Sequence, residues 1–369
     1  MRKQLKICFV SQNIYPLLNK SSNMDFIGGA ELQQAFIGHE LAKRGHRICY
    51  ITLNHGQGDI EEIESFKVIS TFKPNEGLPI LRFFYPRLYK IWKALCKSDA
   101  DIYYVRCACF ILAPVVFYAY LNNKKVVYCG AYDTDFEPEK IALPYKRDKL
   151  MYFWGLKRCD AIIVQNKVQQ KTLQKYFNLQ GQIVHNGFSK VKKTSPANKH
   201  ILWVATILPR KNPNLFINLA KRFPKEKFVM VGGNFDQEQQ FKQDITKQAE
   251  KVPNLEFKGY LPFEKVIKEF IKAKLFISTS NYEGFPNTFL QAWSNGIPVI
   301  SFVDPDDLIK ENGLGMRVQH MDEMTEKVNE FLENNLRFSP KVIKNFFKKN
   351  LTIERTVDKH EEIFHRLVV

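Results

Sequence analysis

The sequence lacks the cysteine pattern of a disulfide-stabilised or zinc-binding protein. Its seven cysteines are an odd number scattered from Cys8 to Cys159, and no two of them have the CxxC spacing of a zinc site. These features argue against a disulfide framework and against a zinc module. We expect reduced, mostly buried thiols and a cytoplasmic location.

Long hydrophobic runs are also missing. The apolar stretch from Cys107 to Leu121 carries no charge, but it is shorter than the roughly 20 residues that a membrane-spanning helix needs, and Pro114 interrupts it. Near the N-terminus the short apolar run ICFV predicts a first strand and not a signal peptide. We therefore predict no transmembrane segment.

Negative charge is scarce relative to positive charge. Lys and Arg number 55 against 38 Asp and Glu, which gives a net charge of +17 at pH 7. Such a surface attracts anions, among them nucleotides, phospholipid headgroups and nucleic acid, and charge alone does not choose among them. The sequence contains no recognisable nucleic-acid-binding motif and no internal repeat of solenoid period. A nucleic-acid partner is therefore not expected.

What the sequence does contain is an alternation of short apolar runs and longer amphipathic stretches. This pattern predicts parallel sheets with helices on both faces, and 369 residues, 45% of them hydrophobic, are enough for two domains. The predicted strands of the first half are LKICFVS, RICYITL, DIYYVR, KVVYCG, DAIIVQN and QIVHN. Those of the second half are HILWVAT, KFVMVGG, LEFKGY, KLFISTS and IPVISF.

One polar, aperiodic segment separates the two series of strands. This segment, VKKTSPANK at residues 191–199, is the predicted linker. We therefore expect an N-terminal domain of residues 1–190 and a C-terminal domain of residues 191–345. Residues 346–369 contain the helical stretch TIERTVDKHEEIFHRLVV, which we expect to pack back on the N-terminal domain.

A glycine pair stands at the entrance to the first long predicted helix, GGAELQQAFIGHELAKRG. Gly28 and Gly29 offer free backbone N–H groups and the positive end of a helix dipole to a phosphate. A glycine turn without a ligand is the alternative. The spacing is not GxGxxG, which disfavours a nicotinamide or flavin cofactor.

Two loops of the second series carry charged residues at strand ends. Arg210 and Lys211 follow the strand HILWVAT, and Glu283 follows KLFISTS, just before a helix that begins near Asn287. Because open α/β sheets bind ligands at the carboxyl ends of their strands, these cations are candidates for holding a diphosphate, and Glu283 for accepting donor hydroxyls. The alternatives are solvated cations and an ordinary loop acid.

The segment EGFPNTFLQAWSNGIPVIS resembles the EX7E signature of retaining GT-B glycosyltransferases of family 4, and GGAELQ resembles the glycine loop of that family. The segments CDAIIVQN, VHNGF, WVATILPRKNPNLFINLA, FVMVGG and GYLP follow in the order that the family shows, so the resemblance covers nearly the whole chain. It implies a GT-B fold, in which two Rossmann-like domains face each other across a cleft.

The resemblance also implies roles for individual residues. Glu283 is expected to contact the donor sugar, Lys211 to bind the nucleotide diphosphate, and Gly29 to approach the donor from the opposite domain. Transfer is expected to proceed with retention, without a metal and without another cofactor. The full donor-binding set is predicted as Gly28, Gly29, Thr206, Arg210, Gly284, Phe285, Pro286, Asn287, Thr288 and Gln291.

Two positions depart from the pattern of the family. Gln291 stands where the second acid of EX7E usually contacts the ribose, although an amide also accepts a hydrogen bond from a hydroxyl. Thr206 stands where the family often has a diphosphate-binding Arg, for which Arg210 is a candidate substitute.

Asp133 and Asp135 form a DTD segment after the strand KVVYCG. Two carboxylates of this spacing bind a metal in the other major glycosyltransferase fold, but nothing else in the chain resembles that fold. We expect Asp133 on the acceptor side, orienting an acceptor hydroxyl or taking its proton. A loop cap is the alternative.

The sequence thus predicts a retaining glycosyltransferase that moves a sugar from a nucleotide-sugar donor to a glycan or lipid-linked acceptor, in cell-surface polysaccharide synthesis. A catalytically weakened donor-binding partner and a nucleotide-sugar epimerase are the alternatives. The stretches RFFYPRLYKIWKALCK and FFKKN mix aromatic and basic residues, which is typical of peripheral contact with an anionic membrane, here its inner face. Alternatively their aromatic residues belong to the core.

Overall fold

The computed structural model describes residues 3–20, 28–79, 81–189, 199–233 and 239–368, so nearly all of the predicted linker lies outside the described residues. Tertiary contacts divide the chain into two compact units. The N-terminal unit comprises Met1–Asn186 and Ile353–Val369, and the C-terminal unit comprises Gly187–Thr352. These divisions fall after Asn186 and after Thr352, whereas the sequence predicts boundaries after residues 190 and 345.

The described strands and helices alternate along the chain. The strands are β1 (Lys6–Val10), β2 (Arg47–Thr52), β3 (Ile60–Ile63), β4 (Phe66–Ser70), β5 (Ile102–Arg106), β6 (Lys125–Cys129), β7 (Ala161–Val164), β8 (Gln182–Ile183), β9 (His200–Val204), β10 (Phe228–Val231), β11 (Leu255–Phe257), β12 (Ala273–Ser278), β13 (Val299–Ser301) and β14 (Gly315–Arg317). The helices are α1 (Tyr15–Leu18), α2 (Gly29–Lys43), α3 (Tyr89–Ser98), α4 (Leu112–Leu121), α5 (Lys146–Leu156), α6 (Lys167–Phe177), α7 (Pro213–Arg222), α8 (Gln239–Glu250), α9 (Phe263–Lys272), α10 (Asn287–Ser294), α11 (Leu308–Asn312), α12 (Met321–Leu332), α13 (Pro340–Asn350) and α14 (Ile353–Val368).

The described strands of the N-terminal unit form one sheet in the order β3-β4-β2-β1-β5-β6-β7-β8. Neighbouring strands are parallel except β3 and β4, which pair antiparallel at the edge. β1 lies between β2 and β5, so the chain reverses its direction of travel across the sheet there. Such a switch point opens a crevice at the carboxyl ends of the strands.

The described strands of the C-terminal unit form a parallel sheet in the order β11-β10-β9-β12-β13-β14. Its switch point lies between β9 and β12, and the loops that leave these two strands carry Lys211 and Glu283. Two parallel α/β units confirm the predicted fold class. Each apolar run named as a strand forms one, because a parallel sheet covered on both faces requires continuous hydrophobic sequence.

The hairpin of β3 and β4 and the short β14 were not predicted. In the hairpin, DIEEIESFKVIS, charged residues interrupt the apolar ones, and Glu64 turns the chain with a φ of 57°. An antiparallel edge strand is half solvated and tolerates this alternation. β14 has only three residues, too few for a periodicity to show.

Side chains that alternate along the strands fill two cores in the N-terminal unit. Phe9 and Tyr104 pack on one face with Phe364 of α14, and α2 lies on the same face. Cys8 and Tyr103 point to the opposite face, which α3, α4 and α5 cover. The C-terminal helix α14 is therefore part of the first core.

Polar contacts also hold α14 in the N-terminal unit. Arg44, just after α2, donates hydrogen bonds to Asp358 (2.8 Å), Glu361 (2.7 Å) and the backbone oxygen of Glu354 (2.9 Å). Arg44 is thus shared by three acceptors on one helix. Among the described residues, no helix combines the length and the apolarity needed to cross a membrane.

Candidate active site

In the C-terminal unit, the loop after β9 brings three predicted residues to the carboxyl edge of the sheet. Thr206 is half-buried, and residues Pro209–Lys211, which include Arg210, form a single 3-10 turn. Asn212 follows with a φ of 48°, a left-handed conformation that Asn tolerates better than most residues, and α7 begins at Pro213. The turn and the left-handed residue fix the direction in which Lys211 leaves the backbone.

The loop after β12 carries the second group of predicted residues. Gly284, Phe285 and Pro286 are buried, whereas Glu283, Asn287 and Thr288 are half-buried. α10 begins at Asn287 directly after Pro286, which has no N–H to leave unsatisfied. The first backbone amides of α10 therefore lie next to Glu283 in the chain, at the end of the helix that favours anions.

The structure brings Lys211 and Glu283 into direct contact. The ammonium of Lys211 donates to Oε1 of Glu283, and each side chain is only 12% exposed. Burial by itself raises the pKa of Glu283, but the charge of Lys211 and hydrogen bonds from Lys211 and Ser280 outweigh it, so the pKa lies below the ordinary value. Glu283 is therefore a carboxylate at neutral pH.

Burial has the opposite effect on the pKa of Lys211. It lowers the pKa of Lys211, and this effect outweighs the opposing attraction of Glu283. A partly desolvated ammonium interacts more strongly with an anion than a solvated one does. Lys211 is thus suited to bind a phosphate.

A buried threonine, which the sequence did not single out, holds the two loops together. The hydroxyl of Thr279 lies within hydrogen-bonding reach of the backbone oxygens of Lys211 (2.7 Å) and Asn212 (3.0 Å), and it accepts from Nε1 of Trp203 (2.9 Å). Asn212 in turn donates to the backbone oxygen of Thr279 (3.0 Å). These contacts join the end of β9 to the end of β12, and so position Lys211 against Glu283.

Gln291, the residue that replaces the second acid of the signature, lies on α10 and is 4% exposed. Its side-chain oxygen accepts no hydrogen bond from any described residue. A buried oxygen without a donor is costly unless a ligand or water supplies one. Gln291 therefore has an acceptor available for a hydroxyl group.

In the N-terminal unit, Gly28 precedes α2, which begins at Gly29. The carboxylate of Glu31 folds back into the space that a Cβ on Gly28 would occupy, so a side chain there would displace this flexible carboxylate. Burial raises the pKa of Glu31, against the smaller effects of a backbone hydrogen bond and of Arg106. A phosphate at this helix terminus would meet the carboxyl group, whereas sugar hydroxyls would find a hydrogen-bonding partner there.

The two acids of the DTD segment have different partners. Asp135 is buried and accepts hydrogen bonds from the backbone N–H groups of Ala131 (2.7 Å) and Tyr132 (3.1 Å). Burial raises the pKa of Asp135 to about 6. Asp133 accepts a hydrogen bond from Asn166 (2.8 Å). Asp135 thus caps its own turn, and the pair does not offer a metal two adjacent free carboxylates.

A buried arginine at the end of β5 was also missed from the sequence. Arg106 is 6% exposed and donates to the side-chain oxygen of Asn186 (2.7 Å), which Gln165 also approaches (3.3 Å). Its charge lowers the pKa values of Glu31 and Asp135, although burial has the larger, opposite effect on both. Arg106 therefore balances the acids at this edge of the sheet. The sequence signal that could have identified Arg106 is a charged residue at the end of an otherwise apolar strand.

Among the described residues, one cluster has the composition of a metal site, namely His46, Glu361 and His365, whose ligand atoms lie within 4.8 Å of one another. The backbone N–H of Leu5 donates to Nδ1 of His46 (3.1 Å), so Nε2 of a neutral His46 carries the hydrogen and donates to Glu361 (2.9 Å). That nitrogen has no lone pair for a metal. The cluster also precedes β2, at the amino end of the sheet, and its contacts anchor α14.

Profiles of known families match the chain in two adjoining parts. Residues 27–190 match the family described as Glycosyltransferase Family 4, and residues 187–349 match Glycosyl transferases group 1.

Two curated proteins are similar over part of the chain. A poly(ribitol-phosphate) α-N-acetylglucosaminyltransferase of Staphylococcus aureus is 23% identical over 237 residues, which are 60% of this chain and 47% of that protein. The Vi polysaccharide biosynthesis protein VipC/TviE of Salmonella typhi is 31% identical over 115 residues, which are 30% of this chain and 19% of that protein. The chain thus spans about half of the first relative and about a fifth of the second.

Among solved structures, that of HepE from Anabaena in complex with UDP and glucose matches with a TM-score of 0.78 at 16% identity, over 98% of this chain and 99% of HepE. A likeness at this identity shows the fold, which is GT-B, as the resemblance implied. Together, the adjoining profile matches and the shared fold show that the chain belongs to the group 1 glycosyltransferases of family 4.

Proposed function

We propose that this glycosyltransferase moves a hexose or related sugar from a nucleotide donor to a glycan or lipid-linked acceptor, with retention at the anomeric carbon and without a bound metal. The observation that carries the proposal is the buried pair of Lys211 and Glu283 at the ends of adjacent strands. The reaction would serve the synthesis of cell-surface polysaccharide, in the cytoplasm or at the inner face of the membrane.

When the donor binds, Lys211 and Glu283 contact different parts of it, the diphosphate and the sugar. The ammonium of Lys211 exchanges the carboxylate of Glu283 for phosphate oxygens, which carry more negative charge. Glu283 then accepts hydrogen bonds from hydroxyls of the sugar. Because charge builds on the leaving phosphate as the glycosidic bond breaks, Lys211 stabilises the transition state more than the bound donor.

Other residues of the C-terminal unit complete the donor site. The buried side-chain oxygen of Gln291 accepts a hydrogen bond from a ribose hydroxyl, since no described residue donates a hydrogen bond to it. The first amides of α10, at Asn287 and Thr288, face the negative part of the donor. Arg210 supplies a second cation for the diphosphate, because Thr206 stands where the family often has an Arg.

The N-terminal unit supplies the acceptor side. Asp133, held by Asn166, orients the acceptor hydroxyl and takes or passes on its proton. The bond from the anomeric carbon to the leaving phosphate breaks, and the acceptor oxygen bonds to that carbon on the same face. Polysaccharide synthesis is proposed from the names of the two curated relatives, of which one acts on poly(ribitol-phosphate) and the other serves the biosynthesis of the Vi polysaccharide.

The test is a thermal-shift screen of the full chain against nucleotide sugars. UDP-glucose and UDP-N-acetylglucosamine come first, because HepE was solved with UDP and glucose and the Staphylococcus relative transfers N-acetylglucosamine by its name. We expect one donor to raise the Tm. Lys211→Ala should reduce the shift only modestly, because the residue acts mainly in the transition state, and Lys274→Ala should leave the shift unchanged. Lys274 is a matched control, since it also pairs with a glutamate of the C-terminal unit, Glu226.

Each outcome decides between the alternatives. No shift with any donor would overturn the proposed donor site. A shift without transfer to any glycan or lipid-linked acceptor would favour a weakened binding partner, and donor conversion without acceptor would indicate an epimerase. NMR of the product tests retention, and an inverted anomeric configuration would contradict that part of the proposal.

A further inference from the structure

Three neighbouring helices of the N-terminal unit present large apolar side chains to solvent. α3, α4 and α5 lie on one face of the sheet and pack against one another in that order. Tyr120 of α4 is 81% exposed, and Phe84, in the irregular turn that precedes α3, is 67% exposed. Monomeric proteins usually scatter such residues singly, so a cluster of them marks an interaction site.

The structure separates the core residues of this region from the exposed ones. In the stretch RFFYPRLYKIWKALCK, Phe83, Ile91 and Leu95 are buried, whereas Tyr85 and Tyr89 are exposed and their rings lie 5.5 Å apart. The exposed residues are therefore not required by the core that α3, α4 and α5 cover. We call this surface the aromatic-basic face, with Phe84, Tyr85, Tyr89, Phe117, Tyr120 and Trp154 as its exposed aromatic residues.

Ring contacts connect the elements that form the aromatic-basic face. Trp92 of α3 lies 6.0 Å from Phe117 of α4, measured between ring centroids. On α5, the guanidinium of Arg158 stacks 4.6 Å from the centroid of Trp154, so cations and aromatic rings are interleaved. The first contact joins α3 to α4, and the guanidinium of Arg147, 3.6 Å from the centroid of the Phe83 ring, joins α5 to the turn before α3.

The helices that carry this surface are strongly basic. Residues 81–98 and 145–158 contain ten Lys and Arg and a single acid, Asp148, and residues 107–123 contain no charge. Asp148 is buried and paired with Arg147. Two of the cations pair with acids from elsewhere in the unit, Lys90 with Glu76 and Lys97 with Asp59. The other cations, together with the aromatic residues, define the chemistry that a partner must match.

We propose that the aromatic-basic face rests on an anionic phospholipid bilayer. Aromatic side chains insert at the level of the headgroups, and each Lys or Arg near an anionic surface adds to the electrostatic attraction. Both features occur here on the same helices, without an apolar helix long enough to span the bilayer in the described part of the chain. The inference is independent of the proposed reaction, because it concerns helices on which no donor-binding residue lies.

The second aromatic-basic stretch of the sequence does not belong to this face. FFKKN lies in α13 of the C-terminal unit, where Phe347 is 1% exposed and packs in the core. Phe347 therefore has a structural role, whereas Lys348 and Lys349 are exposed, and a membrane contact at FFKKN stays a prediction.

The test uses the full chain and co-sedimentation with vesicles of phosphatidylcholine, with and without phosphatidylglycerol. We expect binding to the vesicles that contain phosphatidylglycerol and at least about tenfold weaker partition to the others. Phe84→Ser combined with Tyr120→Ser, and separately Lys93→Glu, should each weaken the partition by about tenfold or more. High salt should weaken it too, because it screens the charges.

The controls lie away from the aromatic-basic face. Lys359→Glu reverses an exposed charge on α14, across the sheet, and Ile60→Ser removes an exposed apolar side chain at the sheet edge. Both should bind like the parent, and an unchanged Tm shows that each variant is folded. Equal binding to both vesicle types, no binding to either, or equal loss in control and test variants would overturn the proposal. So would variants that abolish dimerisation while vesicle binding is absent, since the face would then bind a second copy.

Discussion

Removing the Lys211 cation while leaving Glu283 in place tests the geometry of the candidate site directly. The change is Lys211→Met, which keeps most of the side-chain volume. Breaking a buried ion pair from one side typically destabilises a protein by about 3–5 kcal/mol, because the remaining charge is left without compensation. Here each side chain is 12% exposed, and both Ser280 and Arg210 still lower the pKa of Glu283. We therefore expect a loss of about 2 kcal/mol in the free energy of unfolding at neutral pH.

The same reasoning predicts the behaviour of two further variants. Lys211→Met combined with Glu283→Gln removes both charges, and should lose less than about 1 kcal/mol because no buried charge is left. Lys274→Met breaks the more exposed pair with Glu226 and should lose at most about 1 kcal/mol. The assay is urea unfolding followed by circular dichroism. A single variant Lys211→Met that loses less than about 0.5 kcal/mol, or a double variant that loses as much as the single one, would refute the reasoning.

The pH dependence of the free energy of unfolding gives an independent check that Glu283 is the ionised partner of Lys211. The folded-state pKa of Glu283 lies below its ordinary value, so its ionised form stabilises the fold above that ordinary pKa. This contribution is lost as the pH falls through the folded-state value. The difference between the parent and Lys211→Met should therefore shrink in acid, since a protonated Glu283 needs no cation. A difference that grows in acid would contradict the assignment of Glu283 as the ionised partner.

Further predictions concern the reaction and the core. Glu283→Ala should lower transfer by about tenfold or more, and Lys211→Ala should lower kcat by about 10²-fold with a smaller change in KM; a change in KM alone would make Lys211 a docking charge only. Transfer should persist in excess EDTA, and a loss restored by manganese or magnesium would contradict the proposed absence of a metal. Burial lowers the pKa of His360 from 6.5 to about 4, so the unfolded chain takes up a proton in this window that the folded chain does not. The free energy of unfolding should therefore fall by about 3 kcal/mol as the pH is lowered from 6.5 to about 4. His360→Gln should reduce this dependence of the unfolding free energy on pH, measured by urea unfolding. An unchanged dependence would show that other groups cause it.

The sequence by itself determined the fold class and the strands at whose ends the candidate site lies. Continuous apolar runs such as KICFV and KLFIS are what a parallel sheet covered on both faces requires, and this requirement is local, so it shows in the sequence. The order of the motifs then placed Lys211 and Glu283 in loops at the ends of two strands. Their neighbours Gly284 and Pro286 marked a turn before a helix for equally local reasons.

Only the tertiary structure decided which side chains meet. Lys211 and Glu283 are 72 residues apart, and Thr279 reaches Lys211 over 68 residues, so no periodicity of the sequence reports these contacts. The position of Thr279 follows from the pairing of β12 with β9, which brings the ends of the two strands side by side.

The same limit applies in the N-terminal unit. Arg106 bonds to Asn186 across 80 residues, and Arg44 bonds to Glu361 across 317. The exposure of Phe84 beside the buried Phe83 was likewise undecided in the sequence, because two adjacent Phe residues are equivalent until a helix and a sheet assign them to opposite sides. Local pattern sets which elements form, whereas the packing of those elements sets which polar groups are buried together, and the chemistry of the site depends on the second.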